Sequence, residues 1–167
     1  VVANDYGPWG DDRFSGDIGI LALARQVDVV PKPLPQTAFP STGEEIRLVG
    51  YGLTSDNQGG FQSDSGSKRQ GTAVVVGRLE TGIELGTSPS ITCSGDSGGP
   101  GFAMEGPTEV LATIHSRSDC VSYAYNEAVY AYIDDFIEPF IAAYPEGDCS
   151  SDDICAFGCD IPDPDCE

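Results

Sequence analysis

The chain is poor in basic residues, in histidine and in long apolar segments. Its 167 residues include 8 Lys and Arg against 27 Asp and Glu, which gives a formal net charge of −19, and a single histidine. A surface with so few basic side chains is unsuited to binding a phosphate backbone, and the excess of acidic side chains repels anionic lipids. No apolar stretch approaches the roughly 18 residues that a membrane helix needs. We therefore expect neither nucleic acid nor a membrane among its partners.

Residues 146–167 form an acidic tail without Lys or Arg that contains Cys149, Cys155, Cys159 and Cys166. Cysteines at this density, with little apolar content, indicate a segment held by disulfides and hence a secreted or otherwise extracytoplasmic protein. The spacing leaves all pairings of these four open and lacks the Cys-x-x-Cys pairs of zinc sites. The tail carboxylates have two possible roles: they could bind Ca²⁺, or they could form a solvated acidic face. Outside the tail we expect no metal or cofactor.

The rest of the chain has the composition of an all-β protein. The full chain contains 21 Gly and 12 Pro, and residues 1–145 contain many short β-branched runs. Residues 46–49 and 74–76 are predicted strands. Apolar residues recur at helical spacing from Ile133 to Tyr144, which predicts one helix that Pro139 should distort.

Residues 93–100, Cys-Ser-Gly-Asp-Ser-Gly-Gly-Pro, carry the strongest chemical signal of the chain. Glycines on both sides of Ser97 permit a tight turn. This turn would aim the backbone N–H groups of Gly95 and Ser97 at one point beside the Ser97 hydroxyl. Such an arrangement supplies a nucleophile and an oxyanion hole for acyl transfer. A bare Gly-x-Ser-x-Gly pattern also occurs in ordinary turns, but the extended string favours the catalytic interpretation.

A second segment, residues 17–23, places Asp17 at the head of an almost wholly apolar run. The run predicts a buried strand, where a carboxylate is costly unless a donor meets it. In acyl-transfer chemistry that donor is the ring N–H of a histidine that acts as general base. The alternative is that Asp17 merely caps the strand. The Ser97 string elsewhere in the chain favours the catalytic role.

From about Asp17 to Tyr144 the chain resembles the chymotrypsin/trypsin-like serine endopeptidases. The segments that carry the resemblance are residues 15–21, Gly50-Tyr51-Gly52, residues 93–100 and residues 127–130. They are similar to the aspartate strand, the step that opens the second barrel, the nucleophile loop and the strand before the C-terminal helix. The resemblance implies that Ser97 is the nucleophile and that Asp17 orients the catalytic histidine.

The catalytic histidine itself is missing from its expected place. The family places it before the aspartate, whereas the one histidine here, His115, follows Ser97. Because Val1 is preceded by neither Met nor a signal peptide, we expect a chain cut upstream. Its first barrel and catalytic histidine would belong to a separate N-terminal fragment of the same precursor, without which this chain is inactive. The alternative is a non-catalytic pseudoprotease or binding domain on the same scaffold.

The resemblance also implies a disulfide and an ion pair. Cys120 lies where the family places the disulfide partner of Cys93. Asp96 matches the acid that pairs with a freshly cut N-terminal ammonium, which here would have to come from the N-terminal fragment.

Substrate selectivity is implied by the same resemblance. The expected pocket residues are Ile91, Thr92, Ser94, His115, Ser116 and Ser118. Ile91 stands where trypsin-like members carry an aspartate, and an apolar floor offers Lys or Arg no counter-charge. Acid-selective members use Ser, His and Ser at the positions of Ser94, His115 and Ser118 to bind a carboxylate, which is chemically sensible. We therefore expect cleavage of proteins or peptides after Glu. The alternative is a pocket for a neutral side chain, with His115 a satisfied strand residue.

The expected fold is an all-β, chymotrypsin-like double β-barrel. Residues 1–29 would end the first barrel and carry Asp17. Residues 30–45 would form the inter-barrel connector, which is stiffened by three prolines near its start. Residues 46–145 would form the second barrel and the C-terminal helix, and residues 146–167 the tail.

Overall fold

The computed structural model describes residues 2–5, 16–23, 27–37, 40–54 and 65–144. The chain divides into two compact units. One comprises residues 7–18 and 32–131, and the other comprises residues 1–6, 19–31 and 132–167. The acidic tail, with its cysteines and its candidate Ca²⁺ ligands, lies outside the described residues.

The described strands are β1 (Val2–Asp5), β2 (Gly19–Ala22), β3 (Glu45–Gly50), β4 (Arg69–Arg78), β5 (Gly82–Pro89), β6 (Pro100–Glu105), β7 (Thr108–Ser118) and β8 (Ala124–Ala128). The larger unit is a closed antiparallel barrel in the order β3-β4-β5-β8-β7-β6. Closure pairs β3 with both β4 and β6, so the barrel has no open edge. The strands predicted at residues 46–49 and 74–76 lie within β3 and β4.

Alternate side chains of the strands fill the barrel. On β3 and β4, for example, Ile46, Leu48, Ala73 and Val75 are all buried, as the two-residue repeat of a strand requires. The core cluster consists of these four residues with Ile83, Leu85 and Ala124. A fully buried Ile, Leu or Val contributes about 1.5–3 kcal/mol, so this cluster is a major source of barrel stability.

The connector runs along the β6–β7 hairpin. Leu111 N–H donates to Pro33 O at 2.9 Å, and Gln36 N–H donates to Glu105 Oε2 at 2.9 Å. These contacts hold the proline-rich segment to the barrel without making it a strand.

The second unit contains a two-stranded antiparallel sheet, in which Val2 pairs with Ala22 and Asp5 with Gly19. It also contains most of the C-terminal helical run. The helical elements are a 3₁₀ turn at Val129–Tyr132, a π turn at Ile133–Ile137 and α1 at Glu138–Ala143.

The predicted C-terminal helix is present, but its winding changes along its length. Glu138 N–H bonds to Ile133 O, which is the π pattern, and the α-helix begins only there. Pro139 falls in the first turn of α1 and has no N–H to donate to the preceding π turn. The strand expected at residues 127–130 ends at Ala128, and the 3₁₀ turn begins at Val129.

Candidate active site

Ser97 lies on an exposed loop between β5 and β6. Gly95 and Gly98 have φ values of 95° and 76°, in the left-handed region that glycine adopts readily. A Cβ atom on Gly95 would also lie 3.2 Å from Gly52 Cα. Within the described part of the chain, the N–H groups of Gly95 and Ser97 and the Ser97 hydroxyl make no hydrogen bond. All three groups therefore remain available to a substrate.

Asp96 explains the Gly50-Tyr51-Gly52 motif. Its Oδ1 accepts the N–H of Gly52 at 2.7 Å and its Oδ2 accepts the N–H of Cys93 at 2.9 Å. A Cβ on Gly52 would lie 2.6 Å from Asp96 Cγ, and one on Gly50 would overlap the carboxylate. The motif thus lets the end of β3 approach the nucleophile loop closely. Among the described residues, no ion pair involves Asp96.

A disulfide joins Cys93 to Cys120, with an S–S distance of 2.08 Å, as the resemblance implied. It fastens the nucleophile loop to the segment that follows β7. Cys120 has a φ of 63°, a backbone conformation that is uncommon for residues other than glycine. Its N–H bonds to Ser118 Oγ at 3.3 Å, so both covalent and polar contacts hold this turn.

Two consecutive residues of β7 bring the nucleophile loop and Asp17 together. Gly98 N–H donates to His115 O, and His115 N–H donates to Gly99 O, each at 2.8 Å. The next residue, Ser116, donates its hydroxyl to Asp17 Oδ2 at 2.6 Å. The two motifs that the sequence predicts to act together therefore converge on one strand.

Ser116 reaches Asp17 because β7 is irregular at this point. The pairing of β7 with β8 shifts register between His115 and Arg117, which leaves Ser116 as the extra residue of a bulge. A bulge bends its strand and redirects a side chain. This local feature aims the Ser116 hydroxyl at the carboxylate.

Sequence reasoning missed two buried polar residues of β8, Asn126 and Glu127. Both are fully buried, and as neighbours on a strand they point to opposite faces. Glu127 Oε1 accepts the N–H of Asp17 at 3.1 Å, and its Oε2 accepts the Tyr125 hydroxyl at 3.3 Å. The signal was present in the sequence, since this polar pair interrupts an otherwise apolar run.

Asn126 fixes the ring of His115, which is only 3% exposed. His115 Nδ1 lies 3.0 Å from Asn126 Oδ1 and 3.1 Å from Thr92 Oγ1. Asn126 Nδ2 donates to Thr113 Oγ1 at 2.9 Å, which leaves Oδ1 as the acceptor. His115 therefore donates from Nδ1, and in its neutral form carries its lone pair on Nε2.

Burial lowers the pKa of His115, against the raising effects of the Asn126 hydrogen bond and of the negative charges of Asp96 and Asp17. The ring is therefore neutral at neutral pH. Within the described residues no hydrogen bond joins it to Ser97. His115 therefore makes no contact that would let it act as the base of Ser97, and the sequence contains no second histidine.

The other expected pocket residues differ in their surroundings. The Ser118 hydroxyl donates to Thr92 O at 2.6 Å, which links it to the loop residue whose hydroxyl contacts His115. Ser94 is exposed, and its carbonyl accepts the N–H of Leu53 at 3.0 Å. Ile91 is half-buried and packs against the barrel core. Thr92, His115 and Ser118 are thus linked, whereas Ser94 stands apart from them in this conformation.

A cavity of about 760 Å³ borders Ser97. Its lining includes Tyr51, Gly95, Ser97, Arg47, Lys68 and Arg69. Arg47 is held by a bidentate pair with Glu109 at 2.7 and 2.8 Å, and its guanidinium lies 4.6 Å from the centre of the Phe102 ring. Ser97 therefore borders a space large enough for a polypeptide segment.

No helix in the described ranges is long and apolar enough to cross a bilayer. The same ranges contain no group of three or more His, Cys, Asp or Glu arranged to hold a metal ion.

Comparison with known proteins gives a family match and a fold match. The family model described as Trypsin matches residues 1–138. The structure matches the crystal structure of an inactivated protease paralogue of the scabies mite with a TM-score of 0.64 and 19% identity, covering 85% of this chain and 67% of that chain. No curated protein matches the sequence. At this identity the structural likeness shows the fold, which is the trypsin-like barrel.

Proposed function

The chain belongs to the trypsin family, and on that basis we propose that it is the nucleophile-bearing part of a secreted serine endopeptidase. Ser97 attacks the scissile carbonyl, and the N–H groups of Gly95 and Ser97 bind the oxyanion. Asp17 orients a histidine that an N-terminal fragment of the same precursor supplies. The observation that carries the proposal is the meeting on β7, where His115 holds the nucleophile loop and Ser116 holds Asp17.

The chemistry follows from these positions. The partner's imidazole takes the proton of Ser97 Oγ as this oxygen bonds to the carbonyl carbon, and the resulting imidazolium gives the proton to the leaving amine as the peptide bond breaks. Water then attacks the carbonyl carbon of the acyl-enzyme while the imidazole takes its proton. The imidazolium returns this proton to Ser97 Oγ as the ester bond breaks, which releases the carboxylic acid product and frees Ser97. The Asp17 carboxylate stabilises the imidazolium.

Two features support a separate source for the histidine. The only histidine of the sequence, His115, is committed through Nδ1 to Asn126. Within the described ranges the sheet formed by β1 and β2 has two strands, and Leu21, Val29 and Val30 in the same unit are exposed. A two-stranded sheet is marginal alone, and exposed apolar side chains favour a protein partner. We propose that the same fragment supplies the ammonium partner of Asp96.

For selectivity we propose cleavage after Glu, with Asp second and Lys or Arg poorly accepted. Ile91 offers no counter-charge to a cation. Because His115 donates Nδ1–H to Asn126, only Nε2 remains for the substrate, and it can donate to a carboxylate only when the ring is protonated. A substrate carboxylate would itself favour the imidazolium.

The second candidate is a non-catalytic domain on the same scaffold. It is favoured by the structural match to a protease paralogue described as inactivated and by the absence of a base from the described residues. In that case the intact cleft would bind partners without cleaving them.

The experiment that separates the candidates uses the chain purified with any N-terminal polypeptide that accompanies it. Peptide turnover is measured for the wild type, for Ser97→Ala and for Ser41→Ala, a change at an exposed serine outside the site. Turnover that Ser97→Ala abolishes and Ser41→Ala preserves supports the protease. An assembled, histidine-containing wild type without turnover supports the binding domain instead.

A further inference from the structure

We propose that Glu127 is the positioning residue of Asp17. The contact is direct, since the Asp17 N–H donates to Glu127 Oε1 at 3.1 Å across 110 positions of sequence. The catalytic meaning of this contact rests on the proposed function, which gives Asp17 its role. The contact itself is a property of this chain alone. Nothing in the nucleophile and aspartate motifs assigns a role to Glu127.

The burial of Glu127 argues against a purely structural role. The residue is 0% exposed, and a buried carboxylate is costly unless donors satisfy it. An apolar side chain of similar volume is often as stabilising as a buried polar group, or more so. The Tyr125 hydroxyl satisfies Oε2, whereas the main chain of Asp17 satisfies Oε1. This second contact gives the carboxylate a role beyond the barrel core, because it supplies an acceptor to the main chain of the proposed catalytic acid.

Asp17 is held from two sides by neighbouring strands. Glu127 on β8 fixes its main-chain N–H, and Ser116 at the β7 bulge fixes its carboxylate. Neither anchor alone sets both the position of the residue and the direction of its side chain. With both hydrogen bonds present, the position of Asp17 Oδ2 is fixed even before the histidine of the N-terminal fragment binds.

Removing the Glu127 acceptor should therefore free the main chain at Asp17 and loosen its contact with Ser116. A misplacement of about 1 Å in a catalytic group can lower a rate by about 100-fold. A poorly placed carboxylate also supports the imidazolium less, which lowers the pKa of the base. The acid limb of the pH–rate profile should consequently move to lower pH, an effect that general destabilisation would not produce.

The first test measures hydrogen exchange of the Asp17 amide by NMR in the full chain. Glu127→Met keeps the length of the side chain without the acceptor, and Glu127→Gln keeps an acceptor oxygen. Glu105→Met, which removes a connector contact, is the matched control. We expect exchange at least tenfold faster in Glu127→Met and near the wild-type rate in the other two. If Glu127→Met does not fold, Glu127→Asp, whose carboxylate is one methylene shorter, takes its place.

The second test measures kcat, KM and the pH profile of the assembled protease with the same variants. We expect kcat about 100-fold lower in Glu127→Met with KM little changed, the acid limb at lower pH, and recovery in Glu127→Gln. Unchanged Asp17 exchange in Glu127→Met would overturn the contact. Faster exchange with an unchanged kcat and pH profile would overturn the positioning role. If the assembled wild type has no turnover, the proposed function fails, and the exchange data still decide whether Glu127 fixes Asp17.

Discussion

The Ser116 hydroxyl donates a 2.6 Å hydrogen bond to Asp17 Oδ2 although the two residues are 99 positions apart in sequence. The bond exists because β7 bulges at Ser116 while its neighbour His115 pairs with the nucleophile loop. One short stretch of strand thus determines the relation between Ser97 and Asp17. Its effect on catalysis can be measured separately from its effect on folding.

Replacing Ser116 with Ala should lower kcat of the assembled protease by about 10- to 100-fold. A hydrogen bond to a charged group contributes about 1.5–3 kcal/mol, and this one holds Asp17, the acid that we propose to orient the base. The measurement is kcat and KM on a peptide substrate, with Ser41→Ala as the control. An unchanged kcat in Ser116→Ala would show that this bond does not hold the catalytic geometry.

The preference for Glu over Gln should decline as pH rises through the pKa of His115. Burial lowers that pKa below its ordinary value of 6.5, so the free ring is neutral above about pH 6.5 and Nε2 then accepts rather than donates. A charge-assisted bond exceeds a neutral one by about 1 kcal/mol or more, so the ratio of kcat/KM values should change by about fivefold or more.

Two variants check the origin of this pH dependence. His115→Ala should reduce kcat/KM more for Glu substrates than for uncharged ones. The difference in transition-state free energy should be about 2 kcal/mol. Asn126→Leu should weaken the Glu preference by releasing Nδ1. A wild type that prefers Phe, Leu or Arg at every pH would refute the acid-selective pocket and leave the protease assignment intact.

Loss of the Cys93–Cys120 disulfide should destabilise the chain by roughly 3–4 kcal/mol on the chain-entropy model. The bond closes a loop with a sequence separation of 27. Urea denaturation of the double Ala variant checks the size of the effect. Disulfide mapping checks the partners, and we expect the four tail cysteines to pair only among themselves. A link from Cys93 to the tail would contradict both expectations.

Glu109 should make the barrel sensitive to acid. Hydrogen bonds from Arg47 and then Lys32 lower its pKa from the ordinary 4.5 to about 2. A carboxylate with a depressed pKa in the folded state stabilises that state above its unfolded pKa. This contribution is lost as pH falls from about 4.5 to about 2. Across this window the free energy of unfolding, measured by denaturation, should fall more steeply with decreasing pH for the wild type than for Glu109→Gln. Identical slopes would refute the assignment.

The nucleophile loop could be predicted because it is a continuous string whose residue types have a local chemical reason. The prediction of a buried strand over residues 17–23 was wrong in its burial: β2 covers only Gly19–Ala22, and its side chains are exposed or half-buried. Burial depends on which elements pack against an apolar run, and the run itself does not determine this.

Asn126 and Glu127 could not be assigned roles from a continuous string, since their partners His115 and Asp17 lie on other segments and meet them only in the folded barrel. The bulge at Ser116 was likewise hidden, because register depends on the pairing of two strands. The C-terminal helix was predicted from its apolar spacing, but that spacing does not distinguish π from α winding before Glu138.

The central claim is that Ser97 is an activated nucleophile whose base comes from outside this chain. It is tested most directly by intact-mass analysis after treatment with a serine-directed phosphonate, on the chain alone and on the chain with its N-terminal fragment. The account predicts one phosphonate adduct, mapped to Ser97, in the assembled protein, and none in the separate chain or in assembled Ser97→Ala. Equal labelling of the Ser97→Ala protein, or full turnover by a single 17.5 kDa species, would contradict it.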